Sequence, residues 1–493
     1  MMNGTEKSDP LIVPRKPANK VEQSTAEPAE ESGGIKRNAG EQSMARTQSR
    51  TAVKQAQARI RGAVNRNPDE KLTALLHHVS VDCLRWAFFQ LRKKASPGID
   101  GVTWETYEEG LESRLQDLHR RIHTGAYRAQ PSRRKFIPKP DGSQRPLGIA
   151  ALEDKVVQQA VVAILTPLYE ADFLGFSYGF RPGRSQHDAL DALAFGIKAK
   201  KIGWILDADI SRFFDTISHE WLIRFLEHRI GDRRIIRLIR KWLKAGVLEE
   251  GQQMRATEGT PQGAVISSLL ANIYLHYAFD LWASKWRKQQ ATGDLIVVRF
   301  ADDFVVGFQN ERDGKRFLAD LKARLARFAL HLHPEKTRLI EFGKFAAERR
   351  AKRGKSKPET FDFLGFTHIC GKKANGVGFQ LWRKTRRKKL KAKVREVKEE
   401  LRRHRHKPVE EQGRWLNKVL KGYYDYYAVP TNHAALGAFR HHLVIRWIRS
   451  LRRRSQRHRM TWARMQKLID RYLPNPRILH PWPEQRFRVK HSR

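Results

Sequence analysis

Cysteine is scarce in this chain, with two residues among 493. Cys83 and Cys370 are too few and too far apart in sequence for a disulfide framework or a zinc ribbon built from paired cysteines. No apolar run reaches the roughly 18 residues that a membrane-spanning helix needs. The N-terminal residues also lack the apolar core of a secretory signal. These absences predict a cytoplasmic protein.

Acidic residues are few relative to basic ones. The chain has 96 Lys and Arg against 52 Asp and Glu, which gives a formal net charge of +44. A surplus of this size repels itself unless a polyanion neutralises it, so an enzyme acting on neutral small molecules is disfavoured. The charge predicts a nucleic acid partner, with an anionic membrane surface as the weaker alternative.

Aromatic residues are nearly absent from the first part of the chain. Residues 1–65 are rich in Glu, Lys, Ala, Gln, Ser and Gly, and we expect a disordered tail because they cannot bury enough apolar surface to fold. This tail is either a plain linker or a basic arm that binds nucleic acid. Helical and strand patterns follow, with helices predicted over 104–126 and 152–170 and a strand hairpin over 134–149.

Two apolar strand patterns end in aspartates. Leu295–Phe308 has two β-branched runs around Asp302 and Asp303, which predicts a hairpin with both aspartates at its tip. Residues 204–215 give a second strand that leads into Asp209. Three carboxylates from two strand ends can hold two Mg²⁺ ions about 3.5–4 Å apart, the arrangement that supports in-line phosphoryl displacement. Ordinary turn or capping aspartates are the alternative, which the basic charge of the chain disfavours.

Short motifs follow a fixed order along the chain. They are Ser96–Val102 (SPGIDGV), Arg145–Ile149 (RPLGI), Tyr178–Ser185 (YGFRPGRS), Thr260–Gly263 (TPQG), Phe300–Asp303 (FADD), His333–Thr337 (HPEKT), Phe361–Phe366 (FDFLGF) and Gly422–Tyr427 (GYYDYY). Together they resemble the group II intron-encoded reverse transcriptases that carry a maturase domain, from about Leu72 to Pro483. The resemblance implies RNA-directed DNA synthesis by two-metal nucleotidyl transfer, coupled to intron splicing and retrohoming.

The resemblance also implies a domain plan. We expect an α+β right-hand polymerase whose fingers and palm, with an antiparallel sheet, occupy residues 66–370. An α-helical thumb and maturase domain that binds intron RNA would follow over 371–483, and a short basic tail over 484–493. The family's additional endonuclease segment is not expected after Pro483.

Catalytic and nucleotide-binding roles are carried over at the matching positions. Asp209, Asp302 and Asp303 would be the catalytic carboxylates, and with the backbone carbonyl of Ile210 they would hold two Mg²⁺ ions. The implied nucleotide contacts are Lys139 and Arg145 at the triphosphate, Phe214 under the deoxyribose, Gln262 against the nucleotide and Lys336 near it. Phe214 is alternatively a plain core residue, and Gln262 alternatively bonds to backbone within its turn.

A basic helix is predicted in the C-terminal half. Residues 383–407 contain 14 Lys and Arg, and an apolar stripe runs through Leu390, Val394, Val397 and Leu401. The outer face is either solvated or bound to nucleic acid, and the shortage of acidic neighbours favours binding. The predicted RNA contacts are Arg386, Arg387, Lys388, Lys391, Arg452, Arg453 and Arg454.

Two positions depart from the usual family pattern. Phe300 stands where Tyr is commoner, and Ser268 stands where Pro is commoner; neither change predicts inactivity. The implied partners are group II intron RNA, a DNA target and primer, and dNTPs, in a bacterial cytoplasm or nucleoid and without a membrane. No protein partner is implied, although a dimer stays open. The alternatives are a catalytically idle splicing factor and a reverse transcriptase recruited to a host or defence role.

Overall fold

The computed structural model describes residues 36–138, 144–249, 252–254, 258–260, 263–454 and 460–490, which form a mixed helical and sheet structure. The helices are α1 (Lys36–Arg66), α2 (Val81–Gln90), α3 (Trp104–Glu108), α4 (Leu111–His123), α5 (Leu152–Asp172), α6 (Gln186–Ala199), α7 (Phe213–Thr216), α8 (His219–Arg229), α9 (Arg233–Ala245), α10 (Ser267–Leu275), α11 (Leu281–Gln289), α12 (Glu311–Ala326), α13 (Ala346–Lys352), α14 (Arg387–Arg403), α15 (Val409–Tyr427), α16 (His433–Arg452), α17 (Trp462–Tyr472) and α18 (Pro483–Lys490). The strands are β1 (Ser132–Pro138), β2 (Gln144–Ile149), β3 (Trp204–Asp209), β4 (Val247–Glu249), β5 (Gln252–Met254), β6 (Leu295–Phe300), β7 (Asp303–Phe308), β8 (Arg338–Glu341), β9 (Phe361–Phe363), β10 (Phe366–Lys372) and β11 (Phe379–Thr385). None of the helices within these ranges is long and apolar enough to cross a bilayer.

Helix α1 corrects the prediction for the N-terminal region. Residues 1–35 lie outside the described chain, but from Lys36 onward the segment is helical, so the prediction of a disordered tail over 1–65 is wrong for its second half. Val53, Ile60 and Val64 share one face and are buried, where α1 packs against α2 and α5. Three well-spaced apolar residues are enough because two other helices supply the rest of that core.

A four-stranded antiparallel sheet, in the order β6-β7-β3-β8, forms the centre of the molecule. The predicted hairpin of β6 and β7 is confirmed, and both strands are buried along most of their length. Such continuous burial requires cover on both faces. Helix α6 packs on β6, and α12 packs on β3 and β7.

A second sheet, in the order β2-β1-β4-β5, contains the other predicted hairpin. Strands β1 and β2 pair antiparallel from Arg133 opposite Ile149 to Pro138 opposite Gln144. The predicted turn at Pro140, like Lys139, lies outside the described residues. The helix predicted over 104–126 is divided into α3 and α4 because Gly110, at φ +72°, takes a left-handed conformation between them.

The C-terminal part begins later than predicted. Strands β9, β10 and β11 form a third sheet, and the proposed boundary at residue 370 falls inside β10. The sheet continues to Thr385 because Leu381 still packs into the main core. A separate apolar core follows in α14 to α17, around the fully buried Trp447.

The last helix, α18, contains the described part of the basic tail predicted over 484–493, and it is bound to the main body. Lys198 of α6 forms an ion pair with Glu484. Arg486 lies 3.1 Å from the carboxylate of Asp191, also on α6. Arg383 of β11 donates to the same carboxylate at 2.8 Å. Three elements distant in sequence therefore meet at one buried aspartate.

Candidate active site

The three predicted carboxylates lie at one edge of the central sheet. Asp209 ends β3, Asp303 begins β7, and the two residues are directly opposed in the antiparallel register. Directly opposed antiparallel residues have Cα atoms about 4.5–5.5 Å apart. Asp302 precedes Asp303 in the tight turn of the hairpin, so all three predicted carboxylates lie at the same end of the β3 and β7 strand pair, although their side chains are not close enough together to ligate a single ion.

The turn that carries Asp302 has an unusual backbone. Ala301 has a φ of +58°, a left-handed conformation rare for a residue with a side chain. A Cβ atom on Gly179 would lie 2.3 Å from the Ala301 nitrogen, so only glycine allows this approach. The Tyr178 amide donates to the Arg299 carbonyl at 2.8 Å, and the Arg299 amide donates to the Phe176 carbonyl at 2.9 Å. The YGFRPGRS motif therefore supports the turn of the FADD motif.

Arg299 forms a buried network behind the turn, which sequence reasoning missed. Its guanidinium donates from Nε to Asp280 Oδ1 at 2.7 Å and from Nη2 to Asp280 Oδ2 at 2.5 Å. The Nη1 group donates to Asn272 Oδ1 at 3.0 Å and to the Ala301 carbonyl at 2.9 Å. Asn272 in turn donates to the Gly179 carbonyl at 2.7 Å. The Arg299 side chain thus fixes the residue that precedes the paired aspartates.

The carboxylates of the site repel one another. The pKa of Asp303 is raised to about 7, first by desolvation and then by the negative charges of Asp302, Asp209 and Asp207. The residue as a whole is nevertheless partly exposed to solvent. The pKa of Asp302 is also raised, first by desolvation and further by Asp209. Lys336 Nζ lies 2.8 Å from Asp209 Oδ2, and its positive charge reduces this repulsion. A cluster of this kind favours a bound cation.

Oxygen ligands for a hard divalent cation are thus available at the strand ends. In the described part of the chain, no three His, Cys, Asp or Glu side chains are close enough together to ligate one ion as they stand. Ile210 is buried beside them and forms a bridge with Leu332. The donor chemistry and the mutual repulsion of the carboxylates fit Mg²⁺.

Three of the five predicted nucleotide contacts lie in the described part of the chain. Arg145 of β2 is exposed, and its positive charge lies near enough to Asp302 to oppose the rise in the pKa of that carboxyl. Phe214 is half-buried in α7, and its carbonyl accepts from the Thr260 amide at 2.8 Å. Lys139 and Gln262 lie outside the described residues. Lys336 forms an ion pair with Asp209.

A cavity of about 700 Å³ connects the carboxylates to the helical part. Asp207, Asp209, Asp303 and Lys336 line one side. The other side includes residues at the start of α14 and the end of α15, namely Arg386, Lys389, Tyr426 and Tyr427. The cavity is polar and contains charges of both signs, which suits a nucleic acid backbone together with its metal ions.

The seven predicted RNA contacts are not equivalent. Arg387, Lys388 and Lys391 are exposed on α14, whereas Arg386 lies 2.8 Å from Asp362 in an ion pair. At the end of α16, Arg452 Nε donates to the Met460 carbonyl at 3.1 Å, and Arg454 donates to the Lys407 carbonyl at 2.7 Å. Arg453 between them is exposed. Arg452 and Arg454 therefore also hold neighbouring loops.

Comparison with known proteins assigns the domain that contains this site. Residues 137–368 match the family model described as reverse transcriptase (RNA-dependent DNA polymerase). Protein YkfC of Escherichia coli is 36% identical over 241 residues, covering 43% of this chain and 63% of that protein. The group II intron-encoded protein LtrA of Lactococcus lactis is 37% identical over 212 residues, covering 43% of this chain and 35% of that protein.

A more distant relative extends the same pattern. A putative COX1/OXI3 intron 1 protein of Saccharomyces cerevisiae is 28% identical over 308 residues, covering 52% of this chain and 36% of that protein. The chain spans less than two thirds of the length of each of these relatives. Residues 137–368 are thus similar to reverse transcriptase domains, and the relatives that match this part of the chain include a group II intron-encoded protein and a putative intron protein.

Proposed function

We propose that the protein is an RNA-directed DNA polymerase of a group II intron, which copies intron RNA into DNA and assists splicing and retrohoming. The observation that carries the proposal is the convergence of Asp209, Asp302 and Asp303 at one sheet edge inside a reverse transcriptase domain. The charge of +44 and the polar cavity beside the carboxylates support nucleic acid as the substrate.

The parts of a right-hand polymerase are assigned as follows. The palm is the central sheet with its covering helices, and the fingers include the sheet of β1, β2, β4 and β5 with the helices before it. The thumb and maturase domain is the bundle of α14 to α17, which has its own core. The cavity between the carboxylates and the start of α14 is then the cleft for primer and template.

In this assignment each residue near the cleft has a distinct task. Asp209, Asp302 and Asp303, with the Ile210 carbonyl, would hold two Mg²⁺ ions, which supply charge stabilisation for the attacking and leaving oxygens of phosphoryl transfer. Arg145 offers a bidentate guanidinium to the triphosphate, while Lys139 offers a point charge.

The remaining contacts determine which nucleotide is accepted. The ring of Phe214 excludes a ribose 2′-hydroxyl by its bulk, and Gln262 packs against the incoming nucleotide. Lys336 balances the charge of Asp209 and stays near the nucleotide. Tyr at position 300 would add a hydroxyl that Phe300 lacks, but the metal ligands do not depend on it.

RNA binding by the helical part is the second component of the proposal. Arg387, Lys388 and Lys391 present their charges to solvent on the first turns of α14, beside the cleft. Phosphate contacts from these residues position a folded RNA without reading its sequence. Arg386, Arg452, Arg453 and Arg454 would add contacts at the two ends of the bundle. The chemistry of the partner is that of structured intron RNA.

Primer extension on an RNA template, with Mg²⁺ and dNTPs, tests the polymerase proposal. The wild-type protein is compared with Asp302→Asn/Asp303→Asn, and with Asp215→Asn as a matched control, since Asp215 is exposed on α7 nearby. We expect extension by the wild type and the control only. Absence of extension by the wild type, with RNA binding retained, would favour the idle splicing factor. Extension by the double variant would refute the assignment of these carboxylates.

A further inference from the structure

Helix α9 exposes a row of basic side chains outside the cleft. Within Arg233–Ala245 there are six Lys and Arg and no Asp or Glu. Five of them are exposed. Arg234 pairs with Asp232, and the other four, at spacings of four, three and four residues, form a basic row of Arg233, Arg237, Arg240 and Lys244. The opposite face is buried through Ile235, Ile236, Leu238, Ile239, Trp242 and Leu243. The helix therefore cannot turn its charges away from solvent.

The basic row borders a groove with few acidic residues. A groove of about 510 Å³ is lined by Lys71, Arg233, Arg237 and Arg240, with Glu227 as its acidic member. Glu227 pairs with Arg240 at 3.0 Å, but both side chains are about half exposed, so the pair contributes little to stability. A second groove of about 330 Å³ shares Glu227 and Arg240 with the first, and it adds Lys244 together with the ion pair of Arg224 and Glu220. Basic side chains therefore outnumber acidic ones along both grooves.

Crowding among the cations is visible at Lys241. Its ammonium donates to the Gly125 carbonyl at 2.9 Å and also to the Tyr127 carbonyl. Its pKa is lowered, first by burial and then by the charges of Arg237 and Arg128. The fold keeps these like charges close together, which is unfavourable until an anion binds across them.

The length of the basic row and the types of its side chains indicate which class of anion it can bind. From Arg233 to Lys244 the helix rises about 16 Å, enough to follow several successive phosphates of one strand. The exposed members are Arg and Lys without an exposed aromatic residue among them, so the surface offers phosphate contacts and no platform on which bases could stack. A membrane-surface helix would present an apolar face to lipid, but the apolar face of α9 is buried in the core.

We propose that the α9 groove binds the phosphate backbone of a helical segment of structured RNA, as an anchoring surface separate from the catalytic cleft. None of the four residues of the basic row lines the cavity beside the carboxylates. The choice of RNA as the polyanion rests on the proposed function, whereas the phosphate chemistry rests on the surface itself. An RNA held here stays bound while another part of it is copied in the cleft.

A charge-removal variant tests this surface. Arg233→Gln/Arg237→Gln/Arg240→Gln/Lys244→Gln removes the basic row but keeps good helix formers and the buried face. The matched control, Lys285→Gln/Lys288→Gln/Arg312→Gln/Lys322→Gln, removes four exposed charges from α11 and α12. The probe is an RNA hairpin of about 16 base pairs, and its Kd is measured as a function of salt concentration. Circular dichroism melting verifies that both variants fold.

We expect the α9 variant to bind the hairpin at least tenfold more weakly and to lower the slope of log Kd against log salt by about 3, since each phosphate contact contributes roughly 0.7–0.9. The control should change the slope by less than about 1. Equal losses in both variants would show a general charge effect and overturn the proposal. A DNA duplex that binds as tightly, with the same sensitivity to the α9 changes, would overturn the assignment to RNA.

A second readout is direct and independent of affinity. Phenylglyoxal modifies accessible arginines, and bound RNA hairpin should protect Arg233, Arg237 and Arg240 as measured by mass spectrometry; unchanged modification would overturn the proposal. Extension of a short primer on a short template should stay within twofold of wild type in the α9 variant. The Asp302→Asn/Asp303→Asn variant should lose extension but keep the full salt slope, which separates a failure of this proposal from a failure of the polymerase assignment.

Discussion

Replacing Asp280 by Asn should destabilise the protein strongly through Arg299. Both side chains are fully buried, and the carboxylate accepts two hydrogen bonds from the guanidinium. Asn keeps the size of the side chain but removes its charge, so Arg299 is left as a buried cation without its counter-ion. Breaking such a pair costs about 3–5 kcal/mol, a large part of the roughly 5–15 kcal/mol that stabilises a typical domain.

The double variant Arg299→Met/Asp280→Leu separates the cost of an orphaned charge from the value of the pair. Replacing both charges by apolar side chains of similar size is often nearly neutral. We therefore expect this variant to lose less stability than Asp280→Asn alone, although it also loses the bond from Arg299 to the Ala301 carbonyl. That bond holds the turn before Asp302. We therefore expect the double variant to lose primer extension even at temperatures at which it stays folded.

Urea unfolding followed by fluorescence measures these differences. The control is Glu311→Gln, which removes an exposed partner of Lys315 at 2.8 Å and should cost less than about 0.5 kcal/mol. A loss below about 1 kcal/mol for Asp280→Asn would refute the reasoning. The reasoning would also be refuted if Arg299→Met/Asp280→Leu lost as much stability as the single variants Arg299→Met and Asp280→Leu lose when their losses are added.

Three further predictions follow from single positions. Phe214→Val should raise the incorporation of ribonucleotides relative to deoxyribonucleotides by about 10-fold or more, because it removes the ring proposed to exclude the 2′-hydroxyl. Competition assays with both nucleotides measure this ratio, and an unchanged ratio would make Phe214 a plain core residue. Gly179→Ala should reduce extension and cost about 1–3 kcal/mol, because the new methyl group would overlap the Ala301 backbone; Gly422→Ala, with open space at its Cβ position, is the control in thermal melts. His368 is buried against the ring of Phe361, and burial lowers its pKa to about 3. Since the unfolded chain binds this proton with a pKa near 6.5, the free energy of unfolding should fall as the pH drops from about 6.5 toward 3. His368→Phe should flatten that dependence, and equal slopes for both proteins would contradict the prediction.

The convergence of Asp209, Asp302 and Asp303 at one edge of the central sheet was predictable because its determinants are local. Each aspartate follows an apolar strand pattern, and the order of the motifs along the chain places Asp209 before Asp302 and Asp303. The hairpin tip brings the last two together by chain geometry alone. Only their register against β3 needed the structure, which pairs Asp209 with Asp303.

The supporting contacts were not predictable because their partners are distant in sequence. Nothing in the pattern around Arg299 indicates that Asp280 and Asn272 complete its hydrogen bonds. Helix α1 was missed for a related reason, since its apolar residues are too sparse to signal a core until α2 and α5 cover them. The predicted boundary at residue 370 falls inside β10, which pairs with β11, and nothing in the composition around residue 370 indicates this pairing.

The contacts of α18 affect how the cleft can change its width. The helical bundle follows β11 at one end, and at the other end α18 returns to α6 through Arg486 and Glu484. The bundle also meets the main body at the end of α15, where the Tyr426 hydroxyl donates to the Leu364 carbonyl at 2.7 Å and Val429 packs into the main core. Attachment at several points restrains rotation of the bundle as a rigid body, so any change in the width of the cleft has to break or shift some of these contacts. Removing the α18 contacts would weaken that restraint.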